Sequence, residues 1–159
     1  MKTIENLLIS QDEIDRIYTG ELTLYLWRSL HKNAKMKNPL YPDFDPREIR
    51  AGVLRAPDVE IKRIGGIDHV VARLGQGTSM FDRPNVFGNK HWAYFEIPEG
   101  TVIPQGLIIT KDSYSAKYKA THYSLSPNYT MPKAQFIFLL DQLAQNAISQ
   151  KRKVQNGRG

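Results

Sequence analysis

Leu22, Leu24 and Leu26 alternate with Thr23, Tyr25 and Trp27, and this period of two predicts a strand over residues 21–28. Arg28 has the parity of the leucines. It is therefore expected on the core face at the strand's end, where a cation needs a partner or a ligand. Upstream, Ser10-Gln11-Asp12-Glu13 reads as a capping box opening a short helix that stops at Gly20. Residues 31–58 carry no clear period and read as irregular, with Asp45-Pro46 capping one helical turn. Val59–Ile64 and Ile67–Leu74 are β-like runs around Gly65-Gly66, a hairpin signal. Further strands are expected over Trp92–Ile97, Gly106–Thr110 and Tyr118–Leu125, separated by Pro98-Glu99-Gly100 and Lys111-Asp112-Ser113. From Met131 to Ser149 the period changes to that of a helix. Thr130 suits the N-cap, and Phe136, Leu139, Leu140, Leu143 and Ala147 form its apolar stripe.

These elements predict an α+β fold, with a mostly antiparallel, split sheet and a few peripheral helices. One domain is expected over residues 1–159, with a helix within 1–20 and a mobile basic tail over 151–159. The absence of cysteine excludes disulfides and thiolate metal sites. His31, His69 and His91 show no metal-ligand spacing, so no metal is expected. No apolar run reaches membrane-spanning length, and the N-terminal residues lack the apolar stretch of a cleaved signal peptide. A cytoplasmic site of action is expected, in the producing cell or in a target cell.

Charge sharpens the picture. Residues 1–114 balance 15 Lys/Arg against 15 Asp/Glu, whereas residues 115–159 hold seven basic residues and only Asp141. The net charge of +6 therefore comes entirely from the last part of the chain. Such a one-sided field favours anionic partners: nucleic acid, a phosphate-bearing cofactor or an acidic protein. Lys151-Arg152-Lys153 suits a solubilising tail equally well.

Two segments carry candidate chemistry. In Gly75-Gln76-Gly77-Thr78-Ser79-Met80-Phe81-Asp82, the glycines allow positive φ and close backbone approach to a ligand. Thr78 and Ser79 offer hydroxyls, and Phe81 can stack on a flat ring or fill the core. On these residues alone a turn with a Ser/Thr cap is the commoner outcome. The segment is neither a P-loop nor a dinucleotide fingerprint. In Thr121-His122-Tyr123-Ser124, alternation places His122 and Tyr123 on opposite faces, with His122 beside Ser124 towards a polar cleft. A lone strand histidine is more often a structural donor than a catalyst. No Gly-x-Ser-x-Gly elbow is present.

Arg55-Ala56-Pro57-Asp58, Gly77–Arg83, Lys111-Asp112-Ser113-Tyr114 and Ala120-Thr121-His122-Tyr123 together resemble, in this order, a family of ADP-ribosyltransferase-like toxins exported by type VI secretion. Leu24–Arg28 resembles that family's first strand, and the likeness runs from about residue 22 to the end of the last helix. The resemblance implies two small antiparallel sheets splayed around an NAD cleft, with NAD as substrate. It implies a growth-arresting toxin that modifies an intracellular protein or nucleic acid. A cognate antitoxin or immunity protein would neutralise it, and the basic face suggests that this partner is acidic. By position, Arg28, Ser79 and His122 are the implied catalytic set, and Arg28, Thr78, Ser79, Phe81 and Tyr123 the implied NAD-binding set. The late strand offers His122 but no glutamate to stabilise a cationic sugar, and a neutral imidazole lacks full negative charge. Two alternatives stay open: a non-catalytic or RNA-targeting toxin that keeps the fold, and an NAD glycohydrolase that uses water as acceptor.

Overall fold

Antiparallel pairing joins the strands of the computed structural model, which describes residues 2–35 and 37–157. The chain runs α1 (Ile4–Ser10), a 3-10 turn (Ile14–Arg16), β1 (Ile17–Tyr18), β2 (Leu26–His31), β3 (Arg47–Arg50) and β4 (Val53–Arg55). It continues through β5 (Ile61–Ile64), β6 (Ile67–Val70), β7 (Thr78–Phe81), β8 (Trp92–Ile97), β9 (Leu107–Ser115), β10 (Ala120–Pro127), β11 (Met131–Pro132) and α2 (Lys133–Gly157). A six-stranded sheet has the order β1-β9-β10-β7-β2-β8, and a smaller one the order β11-β6-β5. Among the described residues, β3 and β4 pair only with each other. The split α+β architecture agrees with the sequence reading.

One sheet face builds the core. Leu26, Met80, Ile97, Leu107, Ile109, Tyr123 and Leu125 meet Phe136, Leu140, Leu143 and Ala147 of α2 there. The expected helical stripe is thus the buried one, with Leu139 packed at its margin. Burial of such side chains is the main stabilising term, roughly 1.5–3 kcal/mol for each large one.

Several boundaries differ from the sequence reading, each for a physical reason. The first helix lies earlier than the capping box indicates. Thr3 is its N-cap, accepting from the Asn6 amide at 2.9 Å, and Ile4 and Leu8 bury one turn apart against Ile108. Ser10 ends the helix, and its hydroxyl donates back to the Leu7 carbonyl. Ile14, by contrast, is exposed, so a helix from Ser10 to Gly20 would gain little burial. β2 begins at Leu26 and runs past Arg28 to His31 along β8, which places Arg28 in mid-strand. The turn expected at Asp45-Pro46 is replaced by the β3–β4 hairpin. Arg47–Arg50 is exposed on both faces, so it shows no apolar period.

Lys111-Asp112-Ser113 is no separator, because β9 carries through it to Ser115. Here the β9–β10 ladder bulges: Thr121 pairs with Tyr114 but Tyr123 pairs with Lys111. Asp112 and Ser113 therefore both oppose His122. Met131-Pro132 pairs with His69–Val70 before α2 begins. α2 extends to Gly157, so 151–157 is helical where a mobile tail was expected. Met1, Met36, Arg158 and Gly159 lie outside the described residues. The Gly65-Gly66 hairpin forms as expected, with φ of 58° and 76°. Gly77 does allow a close approach, but to β10: a Cβ there would stand 2.0 Å from the Leu125 carbonyl oxygen.

The segment between β2 and β3 is held on α2 by Asp141. Its Oδ1 accepts from Asn38 Nδ2 at 2.9 Å and from the Tyr41 hydroxyl at 2.7 Å. Desolvation, with the hydrogen bond and charge of Asp141, pushes the Tyr41 phenol up to about 12. The folded state therefore holds the Tyr41 proton more tightly than the unfolded chain does. This contribution is complete below the ordinary tyrosine value of about 10 and is lost as pH rises from there to about 12. Denaturation midpoints measured across that window should fall less steeply in Tyr41→Phe than in the parent. Equal slopes would show that the phenol does not carry the contact.

Candidate functional site

A cavity of about 550 Å³ opens between β2, β7, the β3–β4 hairpin and the start of β8. This volume is within the range of small-ligand sites. Arg28, Ser29, His31, Asp43, Arg47, Arg55, Asp58, Ser79, Phe81, Phe87, Trp92 and His122 are among its lining residues. β2 and β7 are in register at one position only, Trp27 with Phe81, and the Arg28 side chain reaches across beside it.

Arg28 is partly buried and sits on backbone carbonyls. Nε donates to Pro39 at 3.2 Å, Nη2 to Tyr41 at 3.3 Å and Nη1 to Ser79 at 3.4 Å. No carboxylate stands within ion-pair distance of it among the described residues. Burial lowers its pKa, and the more distant charges of Asp58 and Asp43 oppose that shift. An arginine nevertheless stays charged. A guanidinium has five N–H donors, so these three bonds leave two for a ligand. Next to it, Ser29 is 8% exposed and lines the same cavity, and its buried hydroxyl has no hydrogen-bond partner among the described residues.

Asp43 and Asp58 brace the opposite wall. Asp58 Oδ2 accepts from the Asp43 amide at 2.6 Å, and the Asp58 amide donates back to the Asp43 carbonyl at 2.8 Å. Arg55 pairs with Asp58 at 3.4 Å and Arg47 with Asp43 at 3.8 Å. Three arginines thus face two aspartates around one cavity, which favours an anionic occupant.

At the far end, His122 Nδ1 lies 2.7 Å from Asp112 Oδ2, and the Ser124 hydroxyl donates to the same oxygen at 2.6 Å. Arg16 approaches the other oxygen at 3.8 Å. An ionised carboxylate only accepts, so Nδ1 carries the proton and a neutral ring keeps Nε2 as an acceptor. The ring stands edge-on to Phe81, with centroids 5.3 Å apart. This is the arrangement of a base oriented by a carboxylate.

Of the residues singled out from sequence, Arg28, Ser79, Phe81 and His122 line the cavity, and Thr78 and Tyr123 do not. Thr78 is fully buried and its hydroxyl donates to the Leu40 carbonyl at 2.6 Å. Tyr123 lies in the main core, edge-on to Tyr18 at 5.7 Å, where desolvation raises its pKa. Ladder parity explains both: Thr78, Met80, Tyr123 and Leu125 share the face opposite Ser79, Phe81 and His122. Ser29, Asp43, Arg47, Phe87 and Trp92 were missed because the folding of distant segments brings them together. Asp58 and Asp112 stood inside motifs quoted above but had been given no role.

A larger hollow of about 780 Å³ lies nearby, lined in part by Phe44, Glu60, Arg73 and Lys133. Its arginine is paired with Glu60 at 2.8 Å, and Lys133 lies over the Phe44 ring at 4.6 Å. Those cations are already engaged, so the Arg28 cavity is the better candidate.

Comparison with known proteins points to one family. The family model for the Tse2 ADP-ribosyltransferase toxin matches residues 7–152. Toxin Tse2 of Pseudomonas aeruginosa is 34% identical over 144 residues, which cover 89% of this chain and 87% of that protein.

The two neighbouring hydroxyls should separate by experiment. Thr78→Ala orphans the Leu40 carbonyl in the core and should cost about 1–3 kcal/mol in urea denaturation. Ser79→Ala should stay within about 0.5 kcal/mol and lower activity instead. The reverse assignment of losses would contradict the placement of both side chains.

Proposed function

This chain belongs to the Tse2 ADP-ribosyltransferase toxin family, and from that premise we propose that the Arg28 cavity binds NAD and that its His122 end handles the acceptor. The enzyme class is an NAD-dependent ADP-ribosyltransferase. One observation carries the assignment of the cavity. A partly buried guanidinium with two unengaged donors lies beside an orphaned buried hydroxyl, Ser29, in a space of small-ligand size. Arg28 would hold the NAD diphosphate, whose oxygens match a planar guanidinium. Arg47 and Arg55 add positive charge at the hairpin wall. Ser79 would order the nicotinamide ribose, and Phe81 would form the ring wall.

The reaction breaks the bond between the ribose C1′ and nicotinamide and builds positive charge on the sugar. His122 alone supplies no negative charge, but the Asp112 carboxylate behind it does. With Nδ1 protonated towards Asp112, Nε2 can take the acceptor's proton. The pair favours a catalytic reading over a fold that has lost its chemistry. The target is an intracellular macromolecule, and its modification would arrest growth. A cell that makes such a toxin needs it blocked, and an acidic immunity protein over Arg28, Ser79 and His122 would both match the charge and close the cavity. No described helix is long and apolar enough to cross a membrane.

Four results test this reading. Expression of the parent without an inhibitor should stop growth, and Arg28→Ala should relieve that and abolish nicotinamide release. If Arg28→Ala keeps a native circular dichroism spectrum and full toxicity, the role is wrong. Arg28→Lys keeps the charge, but its single ammonium cannot replace the planar fork; it should retain the fold with much reduced activity. Asp112→Asn should lower transfer about 100-fold or more, as loss of an oriented base does. An unchanged rate would remove His122 from the proton path. The on-rate of the inhibitor should fall with salt as screening shortens to about 8–10 Å. A salt-independent on-rate, or a bound inhibitor that leaves NAD access open, would contradict the proposed blocking mode.

A further inference from the structure

The cavity wall continues outward as a run of aromatic rings. Phe87, 36% exposed, stands 4.9 Å from Trp92 and 5.0 Å from Tyr118, and His31 is 5.5 Å from Trp92. Phe87 and Trp92 also line the cavity itself. Buried aromatics need no special account, but rings left accessible at the mouth of a polar site do.

Three segments carry these rings and are tied together. The Lys32 amide donates to the His91 carbonyl at 2.8 Å, and Arg83 Nη2 donates to the Tyr118 carbonyl. Lys117 Nζ lies 5.2 Å from the Tyr118 ring. Residues 31–35, 82–91 and 116–119 together hold six cations, Lys32, Lys35, Arg83, Lys90, Lys117 and Lys119. Their one acid is Asp82, whose carboxylate accepts from the Thr121 amide. All six cations are exposed, and none makes an ion pair among the described residues. Phosphates would attract such a rim, and bases would stack on its rings. An acidic protein would satisfy the cations but leave the accessible rings without a flat partner.

We propose that the acceptor is a single-stranded nucleic acid, with a base stacked at Phe87 and Trp92 and its phosphates on the surrounding lysines and arginine. This rests on the reading that the Arg28 cavity holds NAD. A base nitrogen forms a bond to the ribose C1′ as the C1′–nicotinamide bond breaks. Nicotinamide leaves with the bonding pair as a neutral molecule. The proton released by the base nitrogen passes to His122 Nε2 and then to solvent. No oxidation or reduction occurs. The basic residues at the end of α2 are not part of this surface; Lys151 there pairs with Glu96 at 3.4 Å.

The test uses the full chain, labelled NAD and a mixed-sequence 20-mer as RNA and as DNA. Binding is read by fluorescence anisotropy, transfer by label on the oligonucleotide, and NAD cleavage by nicotinamide release. The parent should bind and label at least one oligonucleotide, and the two arms tell whether the 2′-hydroxyl is required. Phe87→Ala should weaken binding roughly tenfold. The triple variant Lys90→Gln/Lys117→Gln/Lys119→Gln should lower the salt slope by about 2. It should also lose transfer to the oligonucleotide while keeping nicotinamide release to water. Binding without label, or label on lysate protein alone, overturns the proposal and leaves the NAD reading intact. Absence of nicotinamide release with any acceptor overturns both.

Discussion

The site depends on one seated cation. Arg28 donates to the carbonyls of Pro39, Tyr41 and Ser79, and Thr78 donates to the Leu40 carbonyl between the first two. Three consecutive carbonyls, Pro39 to Tyr41, are thus held by β2 and β7 side chains. Asp141 fixes the same segment from the other side through Asn38 and Tyr41. Carbonyls satisfy N–H donors without neutralising the charge. The guanidinium therefore keeps its field and two donors for the cavity, where an ion pair with Asp58 or Asp43 would have engaged them. Those aspartates instead brace each other and pair with Arg55 and Arg47.

The second constraint is the bulge in β9. One extra residue there sets both Asp112 and Ser113 opposite His122, and Asp112 turns to meet the ring and the Ser124 hydroxyl. A regular ladder would give each β10 residue a single partner. Bulges near functional sites commonly re-aim a side chain in this way. The negative charge absent from the late strand stands on its neighbour, at Asp112 beside His122.

What was legible in the sequence follows from how local each signal is. The Gly65-Gly66 hairpin, strand β8 and the stripe of α2 were readable because turn chemistry and periodicity are local. His122 apart from Tyr123 was readable from parity alone. Thr78 reads like a ligand donor because it shares a hydroxyl pair with Ser79, which lines the cavity. Only the ladder to β10 shows that the two point apart. β3 was hidden because exposed charges on both faces erase the period of two, and β4 because three residues with an exposed Leu54 are too short to show one. Lys111-Asp112-Ser113 is turn-like in composition, and nothing local announces a strand that continues with a bulge. The Arg47, Arg55, Asp43 and Asp58 wall lies within sixteen residues, but only the docking of this segment beside β2 and β7 shows that it faces Arg28 across a cavity.

The most direct measurement is the arginine Nε–H spectrum of the labelled protein during titration with NAD. The Arg28 signal and the Ser29 amide should shift together with saturation, while Arg63, which pairs with Asp68 away from this cavity, stays still. Shifts confined to Arg73 and the neighbours of Lys133, with Arg28 unmoved, would place NAD in the larger hollow and contradict the account.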